Sequence, residues 1–170
     1  MAKNKIDKTD LLVLKSLQEN CRTTNLELSK KIKLSPAPTL ERIKKLERMG
    51  IVEGYHAKVN PDKIGLTVQT FVFITLAWKK KNALHKFVEK VQAIPEVIEC
   101  HVVTGEADVV LKVICKDKQA YEALLVNHLS QIEEVEQLKT QFILSTVKDS
   151  VLLPLEYGTA RARRRRSRSK

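Results

Sequence analysis

The chain has 170 residues and is 43% hydrophobic, enough for one domain or two small ones with packed cores, so its bulk is not disordered. Its net charge of +11 favours an anionic partner and is unevenly spread: residues 1–60 hold 13 Lys/Arg against 7 Asp/Glu, residues 61–158 hold 11 against 13, and residues 159–170 hold 7 against none. No stretch approaches the roughly 18 apolar residues of a membrane helix, and the N-terminus MAKNKIDKTD lacks the apolar core of a signal peptide.

Three cysteines, Cys21, Cys100 and Cys115, form no C-x-x-C pair, which fits a reducing cytoplasm. The four histidines are scattered, and Cys100-His101 stands alone. Neither metal nor cofactor is expected, because ligand spacing is absent.

In chain order, Asp7 is placed to cap a helix over Lys8 to Gln18, with Leu11, Leu12, Leu14 and Leu17 inward. Thr24 to Glu27 spells T-x-x-E, a capping box that starts a short helix carrying Leu26, Leu28 and Ile32. Lys33 to Ser35 closes it. Ser35 is a candidate N-cap of the next helix and Pro36 its first residue, where a missing N–H costs nothing. That helix buries Thr39, Leu40, Ile43 and Leu46 and turns Pro38, Glu41, Arg42, Lys45 and Arg48 outward. Gly50 stops it as the residue after the cap. A short helix, a turn and a longer helix with a basic outer face match a helix-turn-helix and its recognition helix. An ordinary helical hairpin with a solvated charged face has the same spacing.

Ile51 to Val59 is expected to be extended, and Asn60-Pro61-Asp62 is a turn signal. The period then changes. Val68 to Trp78 (VQTFVFITLAW) is β-rich and apolar on both faces. Asn82 caps a helix with Leu84, Phe87, Val88, Val91 and Ile94 at helical spacing. Strands follow at Val97 to Val103 and Val109 to Cys115, joined by the turn Thr104 to Ala107. Asp117 caps a helix to Leu129 with Tyr121, Leu124, Leu125 and Leu129 inward, and Leu138 to Val147 is the last strand. The order β-α-β-β-α-β is the ferredoxin-like pattern.

The fold class is therefore α+β: a three-helix, winged helix-turn-helix domain over residues 1–60, a linker at 61–66, a ferredoxin-like domain at 67–150, and an extension at 151–170 with a basic tail. Two helices cover one sheet face, leaving Phe71, Phe73 and Ala77 on the other. An apolar sheet face of this size marks an interface, and a homodimer pairing sheet on sheet is its simplest partner.

The chain resembles the Lrp/AsnC family of leucine- and asparagine-responsive regulators from about Ile6 to Ser150. The resemblance is carried jointly by IDKTDLLVLKSLQENCR (6–22), NLELSKKI (25–32), LSPAPTLERIKKLERMG (34–50), IVEGYHA (51–57) and HVVTGEAD (101–108). It implies a helix-turn-helix that binds double-stranded DNA and a ferredoxin-like module that dimerises, assembles further, often to octamers, and senses amino acids. The family's glycine-aspartate loop falls on Gly105 and Asp108, and its effector position maps to that loop and Gln141. Glu133-Glu134 departs from the proline-glycine that many relatives carry, and the tail after Gly158 lies outside the pattern.

The expected DNA-facing residues are Ser35, Pro36, Ala37, Pro38, Thr39, Glu41, Arg42, Lys44, Lys45 and Arg48, with Arg163, Arg164, Arg165 and Arg166 of the tail. Lys44, Lys45 and Arg48 are assigned to phosphates and Arg42, read as exposed, to a guanine edge. Ala37, Pro38 and Thr39 are placed to touch thymine methyls; a structural role at the helix start is the alternative. The expected effector-binding residues are His101, Thr104, Gly105, Glu106, Asp108 and Gln141. Gly105 lets backbone N–H groups approach a carboxylate and Asp108 holds an ammonium; a plain hairpin turn with a solvated Asp is the alternative. The tail is expected to be disordered in the free protein, as a DNA arm or a solubilising segment.

Two other function classes stay open. One is a nucleoid-architectural protein with little sequence preference. The other is a tetrapyrrole decarboxylase of similar two-part architecture, for which His101, Lys139 and Tyr121 are the available acid–base groups and form no recognisable set.

Overall fold

A computed structural model describes residues 6–155. The chain divides into two compact units. Among the described residues one is built from 6–58 and 148–155, the other from Val59–Val147.

The first unit holds α1 (Lys8–Glu19), α2 (Asn25–Ile32) and α3 (Pro36–Arg48). The starts of α1 and α2 are written locally. Asp7 accepts from the N–H of Asp10 while Asp10 accepts from the N–H of Asp7, and Thr24 and Glu27 do the same for α2. Each box satisfies two donors that would otherwise have no partner in the first turn. Ser35 precedes α3 in the extended conformation but gives no side-chain cap. The Thr39 hydroxyl instead donates to the Ser35 carbonyl at 2.9 Å. Gly50, at φ 64°, ends the helix in the left-handed region that glycine enters without strain.

Val13, Leu14, Leu28, Ile32 and Leu46 form the core of this unit, with Leu11, Leu17, Ile43, Ile51, Val52 and Leu155 packed against it. Leu12, Leu26 and Leu40, expected inward, are exposed. In α1 Leu11, Leu14 and Leu17 face the core as expected, while Val13 takes the inward place assigned to Leu12, which faces water. Residues 51–60 contain no strand; Tyr55 and Val59 are exposed there, and the Tyr55 hydroxyl donates to Glu47 at 2.8 Å.

Residues 148–150, expected to close the sheet domain, belong to the helical unit together with residues 151–155. Lys58 grips Asp149 through its carboxylate at 2.7 Å and its carbonyl at 2.8 Å. Gln18 accepts from the Leu153 N–H at 2.6 Å and donates to the Leu153 carbonyl, and Leu155 reaches the core.

The second unit holds β1 (Val68–Leu76), α4 (Ala83–Gln92), β2 (Val97–Val102), β3 (Val109–Cys115), α5 (Lys118–Asn127) and β4 (Val135–Phe142). The sheet order is β2-β3-β1-β4 and every pairing is antiparallel. This is the βαββαβ pattern that the sequence order predicts. Both helices pack on one face, against Val72, Ile74, Leu76, Val109, Leu111 and Val113. Asn82 supplies no side-chain cap to α4, whereas Asp117 does cap α5, accepting from Ala120 N–H at 2.8 Å.

Strand β4 starts three residues before the expected Leu138 and ends at Phe142 rather than Val147. Its template sets the end: Phe142 pairs with Thr70, and β1 begins only two residues earlier at Val68. The start is hidden by its acids. Glu134 is buried because Lys90 reaches its carboxylate at 2.7 Å, and Lys80 binds the neighbouring Glu133 carbonyl at 2.7 Å. On the open face of the sheet lie Phe71, Phe73 and Thr75 of β1, Val110, Lys112 and Ile114 of β3, and Gln137, Lys139 and Gln141 of β4, as the register requires.

Candidate nucleic-acid interface and ligand pocket

The helical unit presents the start and outer side of α3. Ser35, Pro36, Ala37, Pro38, Glu41, Lys44 and Arg48 are exposed, with Lys44 lightly paired to Glu41 at 3.5 Å. The start of the helix is held in place by Asn25 of α2, whose amide donates to the Pro36 carbonyl at 2.9 Å.

Three expected DNA-facing residues behave differently. Thr39 is fully buried with its hydroxyl turned back on its own helix, so its methyl group is not offered to a base. Arg42 is not an outward side chain: its Nη1 lies 2.6 Å from Asp7 and 2.6 Å from Asp10, and only 29% of the side chain is exposed. Lys45 donates to Asp10 at 2.8 Å. The inward turn has a simple cause. Asp10 is fully buried, and a buried carboxylate needs counter-charge and donors. The tail residues Arg163, Arg164, Arg165 and Arg166 lie outside the described residues.

Burial pushes the Asp10 carboxyl upward. Hydrogen bonds from Lys45, the Asp7 N–H and Arg42 outweigh it and hold the group below its ordinary value. Asp7 is lowered in the same way, burial being outweighed by the Asp10 N–H and Arg42. A depressed folded-state value means that the unfolded chain takes up protons first as pH falls. The stability these groups contribute is present above their unfolded values, near 3.8, and is lost as pH falls through the lower folded values. Thermal melts of the full chain should therefore lose stability from about pH 4 downward, and Asp10→Asn should flatten that acid limb. An unchanged limb in a folded variant contradicts the assignment.

On the sheet unit, a depression of about 460 Å³ opens where the β2–β3 turn meets the uncovered sheet face. It is lined by Phe73, Thr75, Val103, Thr104, Glu106, Ala107, Val110, Gln137, Lys139 and Gln141. Apolar surface comes from Phe73, Val103, Ala107 and Val110; Lys139 brings a cation and Glu106 an anion. Gly105 holds the turn at φ 133°, a conformation that side chains rarely adopt.

Of the expected effector residues, Thr104, Glu106 and Gln141 line this depression, with Gly105 in the turn between two of them. Asp108 has another task. Its Oδ2 accepts from the Leu76 N–H at 2.8 Å, and its own N–H donates to the Ile74 carbonyl at 2.9 Å, so it pins the hairpin to the end of β1 rather than offering a free carboxylate. His101 is on β2 beside Glu99 at 3.2 Å and is not in the lining. Sequence reasoning missed Phe73, Thr75, Val103, Ala107, Val110 and Gln137, and weighed Lys139 only as an acid–base group. Alternation along β1 and β4 places Phe73 with Thr75 and Gln137 with Lys139 on one face, but the register that sets Phe73 between Val110 and Lys139 is not local information.

The three acid–base candidates do not converge. Tyr121 is buried on the helix-covered side against Thr140, while His101 and Lys139 lie on the two opposite edge strands. Among the described residues no cluster of His, Cys, Asp and Glu is arranged to hold a metal ion, and no helix is long and apolar enough to cross a membrane.

A recognition helix in one unit and a ligand-sized depression in the other define a DNA-binding regulator with a sensor module. Comparison with known proteins makes the assignment specific. Residues 6–53 match the winged helix-turn-helix DNA-binding family and residues 69–153 the Lrp/AsnC ligand binding domain family. The chain is 38% identical over 145 residues to the leucine-responsive regulatory protein of Escherichia coli (strain K12), covering 85% of this chain and 88% of that protein. It is 34% identical over 151 residues to the transcriptional regulator AzlB of Bacillus subtilis (strain 168), covering 89% and 96%. Among solved structures, a transcriptional regulator from Neisseria meningitidis in complex with L-Met aligns with a TM-score of 0.86 at 37% identity, over 90% of this chain and 99% of that one. The chain belongs to the Lrp/AsnC family of DNA-binding transcriptional regulators.

Proposed function

We propose that this chain is a sequence-specific regulator whose DNA affinity responds to a free amino acid bound in the depression beside the β2–β3 turn. The observation that carries this reading is the lining itself. One cation, Lys139, and one anion, Glu106, flank an apolar floor of Phe73 and Val110, which suits a zwitterion with an apolar side chain. Lys139 takes the α-carboxylate and Glu106 the α-ammonium, with Thr75, Thr104, Gln137 and Gln141 available for hydrogen bonds. The methionine complex of the Neisseria relative supports this ligand class.

A thermal-shift screen of the twenty amino acids tests it. At least one should raise the melting temperature of the wild type, and Lys139→Ala should lose most of that response at the same ligand concentration. A screen with no responder, or an undiminished response in Lys139→Ala, overturns the assignment.

DNA is read by the exposed surface of α3, with Ala37, Pro38 and Glu41 toward the bases and Lys44 and Arg48 toward phosphates. The protein works as a homodimer joined through the open sheet faces and assembling further. It has no enzymatic activity, a reading supported by the dispersal of His101, Lys139 and Tyr121, and it acts in the cytoplasm.

A further inference from the structure

The four cations of α3 fall into two pairs. Lys44 and Arg48, one turn apart, are exposed on the outer side. Arg42 and Lys45 point toward the start of α1, where Arg42 meets both Asp7 and Asp10 and Lys45 meets Asp10. The two carboxylates are themselves fixed, because each also accepts the other's backbone N–H at 2.7–3.1 Å. Two positive and two negative charges are thus locked in one arrangement, although 32 to 35 residues separate Asp10 from its two partners.

We propose that Asp7 and Asp10 are specificity-determining residues: they retain Arg42 and Lys45 as internal counter-ions, keeping both cations off DNA phosphates, and so restrain sequence-independent binding. Moving either cation to a phosphate leaves the buried Asp10 carboxylate short of counter-charge, which is costly. Lys44 and Arg48 neutralise phosphates without such a penalty because neither leaves a buried partner. Phosphate contacts strengthen binding to every sequence alike, so withholding two of them lowers affinity for random DNA without touching the contacts that discriminate bases. The proposal rests on α3 being the DNA-facing helix.

Salt titrations of the full chain on a selected operator and on random DNA test it. Lys44→Gln and Arg48→Gln are the controls: each should flatten the slope of log K against log salt by about 0.9 per engaged subunit. If neither does, α3 does not face DNA and that underlying reading fails. With the controls behaving, Arg42→Gln should leave the slope unchanged. Asp10→Asn, which keeps the side-chain shape, should steepen it by about 0.9 for each cation released, with random-DNA affinity then gaining about eightfold relative to wild type per tenfold dilution of salt. The operator-to-random ratio should fall. A flattened slope in Arg42→Gln shows Arg42 on a phosphate and overturns the proposal. So does a folded Asp10→Asn whose stability drops while its slope stays at the wild-type value, since that is a purely structural role. Where Asp10→Asn gives no cooperative melt, Arg42→Gln decides alone.

Discussion

Deleting residues 159–170 should flatten the dependence of log K on log salt by about 4–5 per engaged subunit. The segment TARARRRRSRSK carries seven positive charges, no acid and no large apolar residue. Each phosphate that it neutralises releases condensed counter-ions and adds about 0.9 to the slope, and four to six such contacts give the expected change. The described structure strengthens the case that these charges act at DNA. Residues 148–155 belong to the helical unit, and Leu155 packs against its core. The first tail arginine, Arg161, is six residues beyond that anchor and within about 20 Å of it even for a fully extended chain. The loss should fall mainly on random-sequence binding, because phosphate contacts carry no sequence information. Equal salt slopes for the full chain and the truncated chain on operator and random DNA identify the tail as a solubilising bystander.

Phe71→Lys should weaken the dimer by at least about 100-fold, or about 2.7 kcal/mol. Phe71 is 37% exposed on the open sheet face, where Ile114 is also available for burial by a second copy. In a symmetric pairing each substitution counts twice, and a buried Phe contributes about 1.5–3 kcal/mol. The new ammonium also lies opposite Lys112 in the ladder, adding like-charge repulsion. Phe71 does not line the ligand depression, so this variant separates assembly from ligand contact. Sedimentation over a concentration series measures the change. A variant that sediments as the wild type does places the dimer elsewhere.

Several local signals in the sequence carry directly into the fold, whereas the side-chain caps expected of Ser35 and Asn82 do not form. The helix cap at Asp7, the capping box at Thr24, the glycine after α3 and the alternation of β1 each depend on neighbours within about four residues, and each is found where the sequence puts it. The sequence is a poorer guide where a side chain's position is decided by a distant partner. Arg42 reads as a free cation until Asp7 and Asp10 are beside it. Asp108 reads as a ligand carboxylate until the end of β1 arrives with the unpaired Leu76 N–H. The start of β4 is hidden in the same way, because Glu134 is buried only through its ion pair with Lys90. The return of residues 148–155 to the helical unit depends on a contact between Gln18 and Leu153, 135 positions apart. The ligand depression was half legible: the turn residues Thr104, Gly105 and Glu106 come from one stretch, whereas Phe73 and Lys139 meet only through the sheet register.

Ligand occupancy beside the β2–β3 turn is expected to change how this protein binds DNA. The most direct measurement is the affinity of the full chain for an operator selected from random DNA, titrated at fixed salt without and with a saturating amount of the amino acid that raises its melting temperature. A coupling of 5-fold or more in either direction, about 1 kcal/mol, is the expected result, with Lys139→Ala retaining operator binding but losing the response. Identical operator affinity in the two conditions, with the ligand shown to be bound, contradicts the account.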